Sequence, residues 1–199
     1  MNLETMLERQ QELDNRIIRE KNLTWTSGEQ FMNTLVALDV ELSEFANNGR
    51  WFKVWSEDQA PRIKEPATAW GAPYLNPLLE EYADCVSFFL SLANQRGWQD
   101  HLYINGEAIE DVREEGFDGD LNGAYLEMKY YLFTIAAKSD GHKIFHETLG
   151  ITKDEFYFKS AWFIFISIGI IQYGFEWEDI YEAYMKKNQI NHERQDQGY

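Results

Sequence analysis

Cysteine is almost missing from this chain. One residue in 199, Cys85, leaves nothing from which to build a disulfide framework. A reducing, cytoplasmic setting is therefore the expectation, and Cys85, inside an apolar stripe, reads as a small buried hydrophobe. Proline is also scarce, with four residues, and strong alternation of apolar and polar residues is rare, which argues against a β-sandwich or barrel. Basic residues number 18 against 34 acids, a net charge of −16, so nucleic acid and anionic membrane surfaces are excluded as general partners. Only four His are present and none falls in an acidic pair, which disfavours zinc. No run is long and apolar enough to span a bilayer. The most apolar stretch, 160–175, is uncharged over 16 residues and reads as a buried core helix. The amino-terminal stretch MNLETMLERQQELDNRI has no signal-peptide pattern.

What is present is apolar mass at helical spacing. Hydrophobic residues make up 44% and aromatics 16%, enough for a well-packed core in an all-α helical bundle. The pattern predicts helices over 2–20, 27–47, 76–96, 121–138, 153–173 and 176–191. Asn48-Gly49 marks the end of the second, and one short helix is expected within a polar linker at 97–119. One domain over 1–199 is expected, with a Pro-rich loop at 56–77 that resembles a lid or binding loop, and a mobile tail at 192–199.

Two of these helices carry an anomaly. Leu35, Leu38, Leu42 and Phe45 form one stripe, and Glu41 and Glu44 lie on it or at its edge. Leu78, Tyr82, Cys85, Phe89 and Leu92 form another, with Glu81 and Asp84 placed the same way. An inward carboxylate costs several kcal/mol unless something pairs it. Residues three apart share a helix face, so the two pairs could supply the all-oxygen ligation that Mg²⁺ or Mn²⁺ prefers. Solvated helix edges would give the same spacing. At the carboxyl end Lys187, Asn191 and Arg194 fall at i, i+4 and i+7, a face suited to phosphate oxygens or, equally, a polar tail with cations at a helix C-terminus. Gln10, Gln11, Asp14 and Asn15, with the Trp51/Phe52/Trp55 cluster, offer amides and rings that could meet a base, or simply a polar helix and an anchored loop.

Taken in order, LERQQELDNR, VELSEF, WFKVW, LLEEYADCVSFFLSL and YMKKNQINHERQDQGY resemble the dimeric all-α dUTPase family of the MazG-like all-α NTP pyrophosphohydrolase superfamily. The closing Lys-Asn, Asn, Arg-Gln and Gly-Tyr pattern carries most of the specificity. The resemblance implies that Glu41, Glu44, Glu81 and Asp84 hold Mg²⁺, with Mn²⁺ a substitute. It implies that Lys187, Arg194, Asn191 and Tyr199 bind the phosphate chain, and that Gln11, Asp14 and Trp51 contact the uracil. Glu41, with Glu44, would act on a metal-activated water that converts dUTP, and also dUDP, to dUMP, with pyrophosphate released from dUTP. The implied assembly is a homodimer. Two departures stand out. Thirty-six residues separate Glu44 from Glu81, longer than the superfamily's usual gap, and Asp14 stands where members often carry an amide. Alternatives are a dCTP or broad-specificity housekeeping pyrophosphatase, and a non-enzymatic helical interaction protein.

Overall fold

A computed structural model describes residues 2–64, 75–137, 141–146 and 150–198. Seven α-helices appear among them: α1 (Leu3–Glu20), α2 (Ser27–Gly49), α3 (Pro77–Arg96), α4 (Gly106–Glu115), α5 (Asp120–Ala137), α6 (Lys153–Ser167) and α7 (Trp177–Asp196). A 3-10 turn at Gln99–Leu102 follows α3, and a two-stranded hairpin, β1 (Ile144–His146) with β2 (Ile151–Thr152), precedes α6. The chain is all-α, as its periodicity predicts. It separates into two compact units, one of residues 1–94 with 176–199 and the other of residues 95–175.

The first unit holds α1, α2, most of α3, and α7. Thr26 caps α2: its hydroxyl accepts from the Glu29 amide at 3.2 Å, and the Glu29 carboxylate accepts from the Thr26 amide at 2.7 Å. Asn76 caps α3 by accepting from the Leu79 amide at 3.1 Å. The stripe residues Leu38, Leu42 and Phe45 of α2, and Leu78, Tyr82, Cys85, Phe89 and Leu92 of α3, are all fully buried. Burial of each large side chain contributes about 1.5–3 kcal/mol. Phe45 meets Tyr82 edge-on at 5.5 Å, fixing α2 against α3. Asn94 of α3 donates to the Leu7 carbonyl of α1 at 2.9 Å, and the Tyr184 hydroxyl of α7 donates to the Met6 carbonyl of α1 at 2.9 Å.

Two helix ends in this unit differ from the sequence expectation. Gly49 is helical, and the left-handed C-cap falls instead on Arg50 (φ 62°), whose guanidinium is held by the Asp58 carbonyl and carboxylate. This tether offsets the strain of a non-glycine residue in that region. The last helix runs to Asp196, through much of the tail that composition marks as mobile. Arg16 of α1 fixes this last turn, donating to the His192 carbonyl at 3.1 Å and to Asp196 at 2.6 Å. The expected Pro-rich loop is only partly described. Ser56–Lys64 is irregular and tied down by the Arg62 amide donating to the Asn48 carbonyl, whereas 65–74 lie outside the described residues.

The second unit pairs α5 with α6. Trp162 is fully buried and donates its indole N–H to the Leu102 carbonyl at 2.8 Å, while Trp98 packs on Phe158 at 5.1 Å. The sequence predicts an unbroken helix over 153–173. The α-helix instead ends at Ser167 and continues as a π-helical turn over Ile168–Gln172. Near the start of α5, a Cβ on Gly123 would sit 2.3 Å from the Asp118 carbonyl, so only glycine fits that turn.

Candidate active site

All of the described residues singled out in the sequence for chemistry lie in the first unit. Glu41 and Glu44 project from α2 one turn apart, and Glu81 projects from α3, with one carboxylate oxygen from each within 4.8 Å of the others. Among the described residues this is the one such grouping of metal-ligating side chains. Glu41 and Glu81 are half-buried and Glu44 is exposed. The helix faces dictate the convergence: Leu38, Leu42 and Phe45 turn α2 onto α3, and the glutamates between them are carried to the same seam.

The electrostatics follow from that crowding. Burial, then repulsion from Asp84, Glu44 and Glu81, pushes the Glu41 carboxyl up to about 7, with Lys187 pulling the other way. Burial and the charges of Asp84 and Glu44 likewise raise Glu81. Three converging carboxylates form a donor set that a hard divalent cation would satisfy, so the residues present fit Mg²⁺ or Mn²⁺.

Asp84, predicted to complete the ligand set, is placed differently. It lies one turn beyond Glu81 and outside the converging trio. Its Oδ2 accepts from Lys187 Nζ of α7 at 2.5 Å, in a pair whose side chains are 21% and 13% exposed. Burial raises its carboxyl, and the Lys187 bond and charge oppose that rise. The interaction spans 103 positions of sequence, so no local pattern could announce it.

Sequence reasoning missed Asn48. It stands four residues after Glu44 and seven after Glu41, on the same face of α2, and its Nδ2 donates to Glu81 Oε1 at 3.3 Å. That spacing was a usable signal. The bond orients the one trio member contributed by α3.

The expected phosphate face is brought to the same unit. Lys187 sits against Asp84, Asn191 Oδ1 accepts from Arg194 Nη1 at 3.2 Å, and the Arg194 charge reaches Asp84. Lys187 and Arg194 also line a groove of about 620 Å³ between α7 and the start of α3, with Leu79, Glu80, Ala183 and Lys186. Tyr199 lies outside the described residues.

The expected base contacts divide. Trp51 stands 6.1 Å from Phe45, which packs on Tyr82 where α2 meets α3. Gln11 is exposed and donates to Asn15 at 3.2 Å. Asp14 faces inward, accepting from Gln10 Nε2 at 2.8 Å and bonded to Ser91, and burial raises its carboxyl against both bonds. Gln10 in turn lies 3.2 Å from the Tyr184 hydroxyl, and Asn188 donates to the Arg9 carbonyl at 3.4 Å. Asp14 is thus one end of a buried polar network that locks α1 to α7, a role that its place on a polar helix did not disclose.

A family model described as dUTPase matches residues 2–199, the full length of both units. No curated protein matches the chain.

Proposed function

Because this chain belongs to the dUTPase family, whose reaction is the hydrolysis of dUTP, we propose that it acts as a Mg²⁺-dependent pyrophosphohydrolase converting dUTP to dUMP and pyrophosphate, and accepting dUDP. The observation that carries this reading is the convergence of Glu41, Glu44 and Glu81 beside Lys187. Family membership stands behind the reaction, and the four residues behind its metal dependence.

Glu41, Glu44 and Glu81 would hold the cation, with Asn48 keeping the Glu81 carboxylate turned toward it. A bound divalent ion would neutralise phosphate oxygens and acidify a water, the two requirements of phosphate-chain hydrolysis. Lys187 and Arg194 carry the positive charge that the chain itself can offer to the phosphates, with Asn191 holding the Arg194 guanidinium. Glu41 is the carboxylate proposed to accept the proton of the attacking water, since burial, then repulsion from neighbouring carboxylates, raises its pKa to about 7. Trp51 would wall the base. Gln11 and Asp14 remain candidates for reading uracil only if substrate turns Gln11 inward or frees Asp14 from Gln10.

The match over both units supports reading residues 1–199 as one catalytic domain. A homodimer is the proposed assembly. The exposed Met32, Val36 and Val40 on successive turns of α2 offer an apolar stripe for it. A cytoplasmic location accords with the single, buried Cys85. Among the described residues, no single helix is long and apolar enough to cross a membrane.

The test is pyrophosphate release from dUTP, dCTP, dTTP and UTP, with Mg²⁺ and with EDTA. Preference for dUTP that vanishes in EDTA is the expected result. Comparable rates on several nucleotides would move the reading to a broad-specificity pyrophosphatase. Turnover unaffected by EDTA would remove the metal from the mechanism.

A further inference from the structure

Lys187 occupies a position that the metal reading leaves for a cation. Its Nζ sits 2.5 Å from Asp84 Oδ2 in a partly buried pair, while the ligand atoms of Glu41, Glu44 and Glu81 converge without Asp84. The lysine's charge is felt beyond its partner, drawing down the proton affinity of Glu41 and Glu81 as well as of Asp84. Lys187 also lines the groove between α7 and α3 together with Arg194, so the same ammonium faces both the acid cluster and an open cleft. A lysine stem is long and flexible enough to serve either side, and an ammonium is a point charge that satisfies a carboxylate or a phosphate oxygen equally well.

We infer that Lys187 is an internal stand-in for a metal ion. In the nucleotide-free protein it neutralises Asp84, so that a free divalent ion is held by Glu41, Glu44 and Glu81 alone. A phosphate chain entering the groove draws Lys187 off, and Asp84 then becomes available as a fourth carboxylate. Full charge on the acidic side of the site is therefore presented only when substrate is present. This rests on the metal-dependent reading above.

The experiment is Mn²⁺ binding to the nucleotide-free full chain, followed by calorimetry and by electron paramagnetic resonance of free Mn²⁺. It compares the wild type with Lys187→Met and Lys187→Arg. Removing the positive charge that pairs with Asp84 and acts on Glu41 and Glu81 is expected to strengthen Mn²⁺ binding about tenfold, by Coulomb's law at an effective dielectric between protein surface and water. Lys187→Met is expected to show that gain, or one more Mn²⁺ per chain, and Lys187→Arg, which keeps the charge, to match the wild type. Wild-type number and affinity in Lys187→Met would overturn the inference while leaving the metal reading intact. Absence of Mn²⁺ binding by the wild type would sink both.

A second measurement avoids the charge-removing variant. Lysines of the wild-type protein are methylated with ¹³C, and the Lys187 resonance is assigned by its loss in Lys187→Arg. Tripolyphosphate added in EDTA is expected to shift that resonance as the ammonium exchanges carboxylate for phosphate. A signal that tripolyphosphate leaves in place would contradict the exchange.

Discussion

Glu41→Gln should stabilise the metal-free protein above neutral pH while abolishing turnover. In the unfolded chain Glu41 titrates near its ordinary value of 4.5, and in the folded protein near 7. Between those values the folded state holds a proton that the unfolded state has lost, so stability falls as pH rises through this window, and above about pH 7 the loss is complete. For a fully buried group a displacement from 4.5 to 7 corresponds to about 3.4 kcal/mol. Glu41 is half-buried, and solvent screening reduces the figure to about 1–2 kcal/mol. Glutamine keeps the shape and removes the charge. The assay is thermal or urea unfolding of both proteins in EDTA from pH 5 to pH 8. The variant's advantage should be smallest at pH 5, where folded wild-type Glu41 still holds its proton, and should grow to about 1–2 kcal/mol at pH 8. For a chain of this size that is a gain of roughly 2–8 °C in Tm. Saturating Mg²⁺ should reverse the order, because only the wild type recovers a full set of carboxylate ligands. A variant less stable than wild type at pH 8 in EDTA, or an advantage that does not change with pH, would refute the electrostatic account of the cluster.

Tyr184→Phe removes the hydroxyl that joins the Met6 carbonyl and Gln10 in the buried α1–α7 network. It should destabilise the protein by about 1–3 kcal/mol in urea unfolding, because the buried partners lose their donor. Asp14→Asn should change the ratio of dUTP to dCTP turnover if Asp14 leaves Gln10 to read the base. An unchanged ratio with altered stability would confine Asp14 to the network.

The helices and the carboxylate seam were legible because both follow from local periodicity. Glu41 and Glu44 share a face by spacing alone, and the buried stripes around them and around Glu81 dictate that the two faces meet. Thr26 with Glu29 announced the start of α2 for the same local reason. What stayed hidden depends on partners distant in sequence. Lys187 bonds Asp84 across 103 positions, and Arg16 extends α7 past Asn191 by gripping Asp196. Arg50 displaces Gly49 as the helix stop because Asp58 holds it, an energy that no glycine rule contains. The inward turn of Asp14 belongs to this class too, since Gln10, Ser91 and Tyr184 meet only once α1, α3 and α7 have packed.

The most direct measurement is the anomalous diffraction of Mn²⁺ in a crystal of the protein. The account predicts a peak at bonding distance from carboxylate oxygens of Glu41, Glu44 and Glu81. A peak coordinated by other residues, with this trio bare, would contradict it.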